Sequence, residues 1–94
     1  MKERSMWENI NIDNEENIIK DEVYKNSCRI TLEKYPNRYE ITCGVYGAMV
    51  HTVYCGNNCL EIYDSMKHEL QDFIDRETTK EEEYEFYDYF INKY

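Results

Sequence analysis

Four residues in the middle of the chain have side chains that can ligate a metal or carry out thiol chemistry. Cys55 and Cys59 are four positions apart, and Cys43 and His51 precede them. Thiolates and imidazole are the preferred ligands of tetrahedral zinc, so a sulfur–nitrogen site is one hypothesis. Structural zinc sites usually contain two paired ligand clusters, whereas here one loose pair accompanies two single residues. The pattern therefore favours packed thiols, and we predict neither a metal nor a cofactor.

A Cys–His nucleophilic pair is the other chemistry that these residues could supply. Such a pair needs a lowered thiol pKa and a third group that orients the histidine, and the spacing singles out no such trio. The chain has 20 acidic and 11 basic residues, a net charge of −9, and a negative field raises the pKa of a thiol. Three scattered glycines cannot build a phosphate loop. We therefore expect a protein that is not an enzyme.

The charge also restricts the possible partners. An acidic surface repels nucleic acid phosphates and acidic membranes, so we expect no direct nucleic acid or membrane binding and a basic protein surface as the counterpart. No apolar run approaches the roughly 20 residues of a membrane span. The first nine residues do not lead into the apolar stretch of a secretion signal. We expect a cytoplasmic protein whose four cysteines are reduced.

Alternation of apolar and polar side chains predicts three strands. It runs from Cys28 to Glu33 and from Tyr39 to Val45, which is the period of half-buried strands. Pro36 with its neighbours supplies the turn between them. Glycines at positions 44 and 47 permit a turn or a bulge in one long kinked strand. We favour the turn, with a third strand over residues 48–54 placed centrally or under a helix.

Residues 1–27 are the less regular part of the chain. Their apolar residues are scattered among Asn, Asp and Glu without a sustained period of 2 or 3.6. A short helix over residues 14–24 is one prediction, because Ile19 and Val23 are four positions apart. An extended arm along an edge, pinned by Trp7 and the isoleucines, is the alternative.

Two helices are predicted after the strands. Apolar residues recur at three- and four-residue steps from Cys59 to about Arg76, which is the pattern of an amphipathic helix with Asn58 as its N-cap. Thr79 and Glu82 form a capping box that begins a second helix. The predicted fold is α+β, one domain over residues 1–94, with a three-stranded antiparallel meander packed against two C-terminal helices.

The second helix alternates acids with aromatic residues. At 100° per residue, one arc of about 160° is apolar and should pack, while the acids fall outside it; the arc consists of Tyr84, Phe86, Tyr87, Phe90, Ile91 and Tyr94. Carboxylates along a rigid helix can imitate a row of phosphates, and tyrosine supplies amphipathic contact area. The predicted contacts to a partner are Glu81, Glu82, Glu85, Asp88 and Tyr89.

The segment Glu81-Glu82-Glu83-Tyr84-Glu85-Phe86-Tyr87 resembles, in composition, the acid- and tyrosine-rich end of some small phage-encoded anti-CRISPR inhibitors of Cas nucleases. The element order of the last two-thirds of the chain is similar as well. The resemblance implies an inhibitor that mimics nucleic acid.

Three hypotheses for the function follow. The first is a small protein-interaction domain that binds a basic surface, with a phage- or mobile-element-type inhibitor or immunity protein as its sharper version. The second is a metal-binding or thiol-dependent domain that uses Cys43, His51, Cys55 and Cys59. The third is a domain that associates with itself through an unpaired strand edge. We expect a monomer or a weak homodimer.

Overall fold

The computed structural model describes residues 7–10 and 17–94 of the chain. Within these residues, five antiparallel strands form one sheet in chain order, and two helices follow. The elements are β1 (Trp7–Asn9), β2 (Ile18–Tyr24), β3 (Cys28–Tyr35), β4 (Arg38–Val45), β5 (Met49–Cys55), α1 (Cys59–Asp75) and α2 (Lys80–Lys93). The α+β class is confirmed, but the meander has five strands where we predicted three. Neither helix in the described part of the chain has the length and apolarity needed to cross a membrane.

The two hairpins predicted from turn residues are present. Tyr35 and Arg38 are paired across the short connection between β3 and β4. Between β4 and β5, the amide of Ala48 donates to the carbonyl of Val45 at 3.0 Å. Gly47 has φ of +76° in this turn, a conformation that glycine adopts without a steric penalty. The chain therefore turns at Gly47, as predicted, and does not continue as one kinked strand.

The helix predicted over residues 14–24 is wrong where the structure describes it. Residues 18–24 form β2, which pairs with β3 through a tight turn in which Lys25 and Asn26 have φ of 49° and 53°. The start of the predicted helix lies outside the described residues. The alternative of an arm along an edge is closer to the structure, because β1 pairs with β2 and Trp7 Nε1 donates to Gln71 at 2.9 Å.

Charged residues on both faces of β2 explain why its sequence does not show the alternation of apolar and polar residues that is typical of a strand. Glu22 points towards the helices, where it accepts hydrogen bonds from Tyr63 at 2.7 Å and from Lys67 at 2.8 Å. Asp21 points to the opposite face but is only 3% exposed. Arg29 donates to both of its carboxylate oxygens, at 2.9 and 2.7 Å. Paired acids thus occupy positions where an apolar residue is usual.

The core lies between one face of the sheet and the helix pair. Helix α1 covers β3 and β4. The rings of Phe73 and Phe86 stack at 4.1 Å between α1 and α2. Phe90 of α2 meets the edge of His51 on β5, with ring centroids 6.4 Å apart. Strand β5 therefore lies at the edge of the sheet with its inner face under α2. Of its two predicted positions, the one under a helix is correct and the central one is wrong.

The predicted N-terminal cap is present in α2 but not in α1. The Thr79 hydroxyl accepts from the amide of Glu82 at 3.2 Å, and the Glu82 carboxylate accepts from the amide of Thr79 at 3.1 Å. The predicted capping box is therefore confirmed. Asn58 precedes α1 as predicted, but its side chain makes no capping hydrogen bond, so that role was wrong.

The apolar arc of α2 is only partly buried. Phe86 and Phe90 are in the core, whereas Tyr84 is 66% and Ile91 42% exposed. Because α1 and the sheet both contact the Phe86–Phe90 side of α2, the opposite side of the helix faces solvent. The predicted arc is therefore too wide at one end, where Ile91 and Tyr84 lie about 20° apart around the helix axis.

Replacing Phe86 by alanine should lower the free energy of unfolding by about 3–5 kcal/mol, because it removes the ring that stacks on Phe73 and leaves a cavity. Replacing the exposed Tyr84 by alanine is the matched control, with an expected change within about 0.5 kcal/mol. Urea unfolding followed by circular dichroism measures both. Equal effects of the two substitutions would contradict the docking of α2 described above.

Candidate functional site

A groove of about 450 Å³ lies at the surface between α1 and α2. Four carboxylates and one guanidinium surround it, together with two aromatic rings. Its lining residues are Glu69, Asp72, Arg76, Glu82, Glu85, Phe86 and Tyr89. The groove is therefore acidic at its rim and aromatic at its floor.

Helical spacing places these side chains together. Glu69, Asp72 and Arg76 follow one another at three- and four-residue steps on α1, so they share one face. Glu82, Glu85 and Tyr89 do the same on α2. The stacked rings of Phe73 and Phe86 hold the helices side by side beneath the two rows. The acids consequently face each other across the seam between the helices.

Glu69 of α1 makes the polar contacts that join the two helices at this seam. Its carboxylate accepts hydrogen bonds from the hydroxyl of Tyr89 at 2.6 Å and from the hydroxyl of Tyr94. The ammonium of Lys93 lies 3.0 Å from the same carboxylate. Burial pushes the pKa of Glu69 upward, but the hydrogen bonds from Tyr89, Tyr94 and Lys93 outweigh it and hold the pKa below its ordinary value. Glu69 is therefore ionised at neutral pH.

The five residues predicted as partner contacts divide between two places on α2. Glu82, Glu85 and Tyr89 line the groove. Glu81 and Asp88 lie on the neighbouring outward stripe and are exposed, and Asn92 donates to Asp88. Tyr89 lies outside the predicted apolar arc, and 48% of it is exposed. Its hydroxyl, however, is bound to Glu69.

Sequence reasoning missed the contribution of α1 to this groove. Glu69 and Asp72 appear in the sequence as solvent-facing acids of an amphipathic helix, which is also where the structure places Asp72. The available signal was their spacing with Arg76, which marks a polar stripe on one helix. Only the packing of α2 against that stripe converts it into one wall of a groove.

The cysteines differ from the prediction of four reduced thiols. Cys55, at the end of β5, and Cys59, at the start of α1, form a disulfide. That prediction is therefore wrong for this pair. Cys28 and Cys43 are free and buried in the core, as predicted. Burial raises the pKa of their thiols to about 11 and about 12 respectively, so neither is a nucleophile at neutral pH.

The four residues of the metal and thiol hypothesis do not form a ligand set. Cys43 and His51 are cross-strand partners on the inner face of the sheet. The sulfurs of Cys55 and Cys59 are bonded to each other. Among the residues that the structure describes, no group of three or more His, Cys, Asp or Glu side chains is arranged to hold a metal ion.

Replacing Glu69 by glutamine should lower the free energy of unfolding at pH 7 by about 1–3 kcal/mol, because hydrogen bonds to a charged acceptor are lost. A carboxyl whose folded pKa is depressed stabilises the fold above its unfolded pKa, and this contribution is lost as pH falls through the folded pKa. The difference between wild type and variant should therefore shrink on acidification.

Urea unfolding at a series of pH values from 7 downward measures this difference, and the exposed Asp64→Asn on the same helix is the control. A difference between wild type and Glu69→Gln that stays constant to low pH would contradict an ionised Glu69 at the seam.

The cysteine assignment has a direct chemical readout. Denatured protein that has not been reduced should expose two reactive thiols, because Cys28 and Cys43 alone are free. After reduction the same titration should find all four cysteines. The Cys55→Ser/Cys59→Ser double variant should titrate identically with and without reductant. Four thiols before reduction would contradict the disulfide.

Comparison with protein-family models, with curated proteins and with solved structures finds no match to this chain.

Proposed function

We propose that this protein is a non-enzymatic interaction module that binds a basic segment of another protein in the groove between α1 and α2. The observation that carries the proposal is the set of four carboxylates, contributed by two helices, around an aromatic floor. A groove with charged walls and an apolar base suits side chains that have a long apolar stem and a cationic end.

The chemistry of the groove matches arginine or lysine on the partner. A guanidinium can donate two parallel hydrogen bonds to a carboxylate such as that of Glu85. The stem or the cation can lie on the rings of Phe86 and Tyr89. Arg76 offsets one acid, and Lys93 already pairs with Glu69, so Asp72, Glu82 and Glu85 supply the excess negative charge. These three residues are the proposed primary contacts.

The field of the whole molecule supports the same partner. A net charge of −9 attracts a cationic surface from beyond contact distance and raises the association rate. Exposed charges are screened beyond a Debye length of about 8 Å at physiological salt. Binding should therefore weaken steeply as salt is added. The compartment in which it occurs is proposed to be the cytoplasm.

A more specific form of this proposal is an inhibitor or immunity protein that occupies the nucleic acid site of an enzyme. Glu81, Glu85 and Asp88 support it, because they follow one another along the outward side of α2. Successive rises of about 6 and 4.5 Å along the helix are of the same order as the charge spacing of one nucleic acid strand, about 3.4 Å along its axis. This row is continuous with the groove through Glu85, so one basic partner can contact both.

Neutralising the groove should abolish recovery of the partner. We expect the Asp72→Asn/Glu82→Gln/Glu85→Gln variant to lose partners that wild type captures from native-cell lysate at low salt, because each change removes one charge without changing shape. Glutamine at position 82 can retain the capping box. Mass spectrometry of the eluates measures recovery.

The matched control carries the same charge change on exposed residues away from the groove, as Glu61→Gln/Asp64→Asn/Glu77→Gln. Equal recovery by the groove variant and wild type would contradict the proposal. A Glu81→Gln/Asp88→Asn variant separates the two versions, since only the mimic requires the outward row.

A further inference from the structure

Strand β5 has an unprotected edge. Among the described residues it pairs only with β4, so one row of its backbone amides and carbonyls has no partner strand. Its seven residues include no proline and no Asp, Glu, Lys or Arg, which are the side chains that usually prevent edge-to-edge pairing. We infer that β5 docks against β5 of a second copy of this chain, in antiparallel pairing around a two-fold axis.

Exposed apolar side chains surround this edge on the open face of the sheet. Val50 is 76% exposed and Tyr54 64% exposed, and both belong to β5. Next to Val50 the neighbouring strand has Gly44, paired with it and without a side chain of its own. A groove of about 510 Å³ opens there. The guanidinium of Arg38 on β4 lies 5.3 Å from the centre of the Tyr54 ring, so Val50 is the apolar surface that its own sheet leaves uncovered.

Helix α2 adds apolar surface on the other face. Tyr89 contacts α1 through Glu69, and Phe90 contacts β5 through His51. Tyr84 and Ile91 lie on the side of α2 turned away from α1, since they are about 140° and about 160° from Tyr89 around the helix axis. Helix α2 lies over the edge strand, so this side projects towards the β5 edge.

The edge is complementary to itself. With Thr52 at the two-fold axis, Val50 of one copy lies opposite Tyr54 of the other, and this pairing occurs twice. Aromatic and β-branched residues opposite each other stabilise an antiparallel pair. On the inner face, His51 lies opposite Val53 of the second copy. Because β5 has no Asp, Glu, Lys or Arg, the pairing brings no such charges of the two β5 strands together.

The size of the contact implies a weak dimer. Seven residues of strand extend about 24 Å, and one strand layer with one helix layer is about 20 Å thick. The contact is then about 480 Å² on each copy, or about 960 Å² in total, less than the roughly 1,200–2,000 Å² of stable complexes. Dimerisation should therefore depend on concentration.

Salt distinguishes this contact from the proposed basic partner. Two copies that each carry a charge of −9 repel at long range, and added salt screens that repulsion. The dimer should become stronger as salt rises, whereas binding in the acidic groove should become weaker. Each proposal can therefore fail while the other holds.

Sedimentation equilibrium of the full chain over a concentration series, at low and high salt, tests the inference. We expect a monomer–dimer equilibrium that shifts towards dimer at high salt. Val50→Lys should raise the dissociation constant at least tenfold, because a charge then lies against the apolar partner strand. Ile19→Lys, the same kind of change at a residue of β2 that is 46% exposed, should leave it within twofold.

Amide hydrogen exchange of wild type provides a second measurement that needs no variant. Protection of β5 should rise with protein concentration, and protection of β3 should not change. A monomer at every concentration, a dimer that weakens with salt, or equal effects of Val50→Lys and Ile19→Lys would each overturn the inference.

Discussion

The contact between Phe73 and Phe86 is the constraint on which the rest of the molecule depends. The sheet has one apolar face, and the two helices that cover it meet at these stacked rings. Helix α2 has 14 residues, a length at which an isolated helix is marginal in water. Docking therefore supplies most of its stability. Without this contact the acids of α2 would occupy no fixed positions, and β5 would lose the cover over its inner face.

The many tyrosines have a structural explanation in this acid-rich chain. Three carboxylates at contacts between elements each pair with one lysine, namely Asp75 with Lys25, Glu22 with Lys67 and Glu69 with Lys93. A tyrosine hydroxyl is a further donor to each of them, since Tyr24 donates to Asp75, Tyr63 to Glu22 and Tyr89 to Glu69. Tyr24 and Tyr63 bury their rings and still offer their hydroxyls to a carboxylate. The combination of acids and tyrosines is therefore a packing solution as well as a surface property.

The same combination limits what can be predicted from sequence. The elements with a regular apolar period, the β3–β4 hairpin and α1, were predicted correctly. The start of α2 was predicted correctly from its capping box. Strand β2 was missed because Glu22 faces the helices and Asp21 is buried on the open face, so charge did not indicate exposure there. For the groove, only the residues contributed by α2 were predicted from the sequence. Glu82 and Glu85 lie in an obvious acidic run, whereas Glu69 and Asp72 join them only through tertiary packing.

The two proposed surfaces are related through charge. An edge strand without lysine or proline invites pairing with other chains, and natural proteins usually prevent this locally. Here the charge of the whole chain can protect the β5 edge, because a net charge of −9 keeps copies of the chain apart at low ionic strength. A cationic partner in the helix groove would reduce that repulsion. Binding of such a partner should then promote pairing of the β5 edges, because it removes charge without covering the edge. In this arrangement the negative charge of the whole chain acts on both contacts, because it favours a cationic partner in the groove and opposes pairing of the β5 edges.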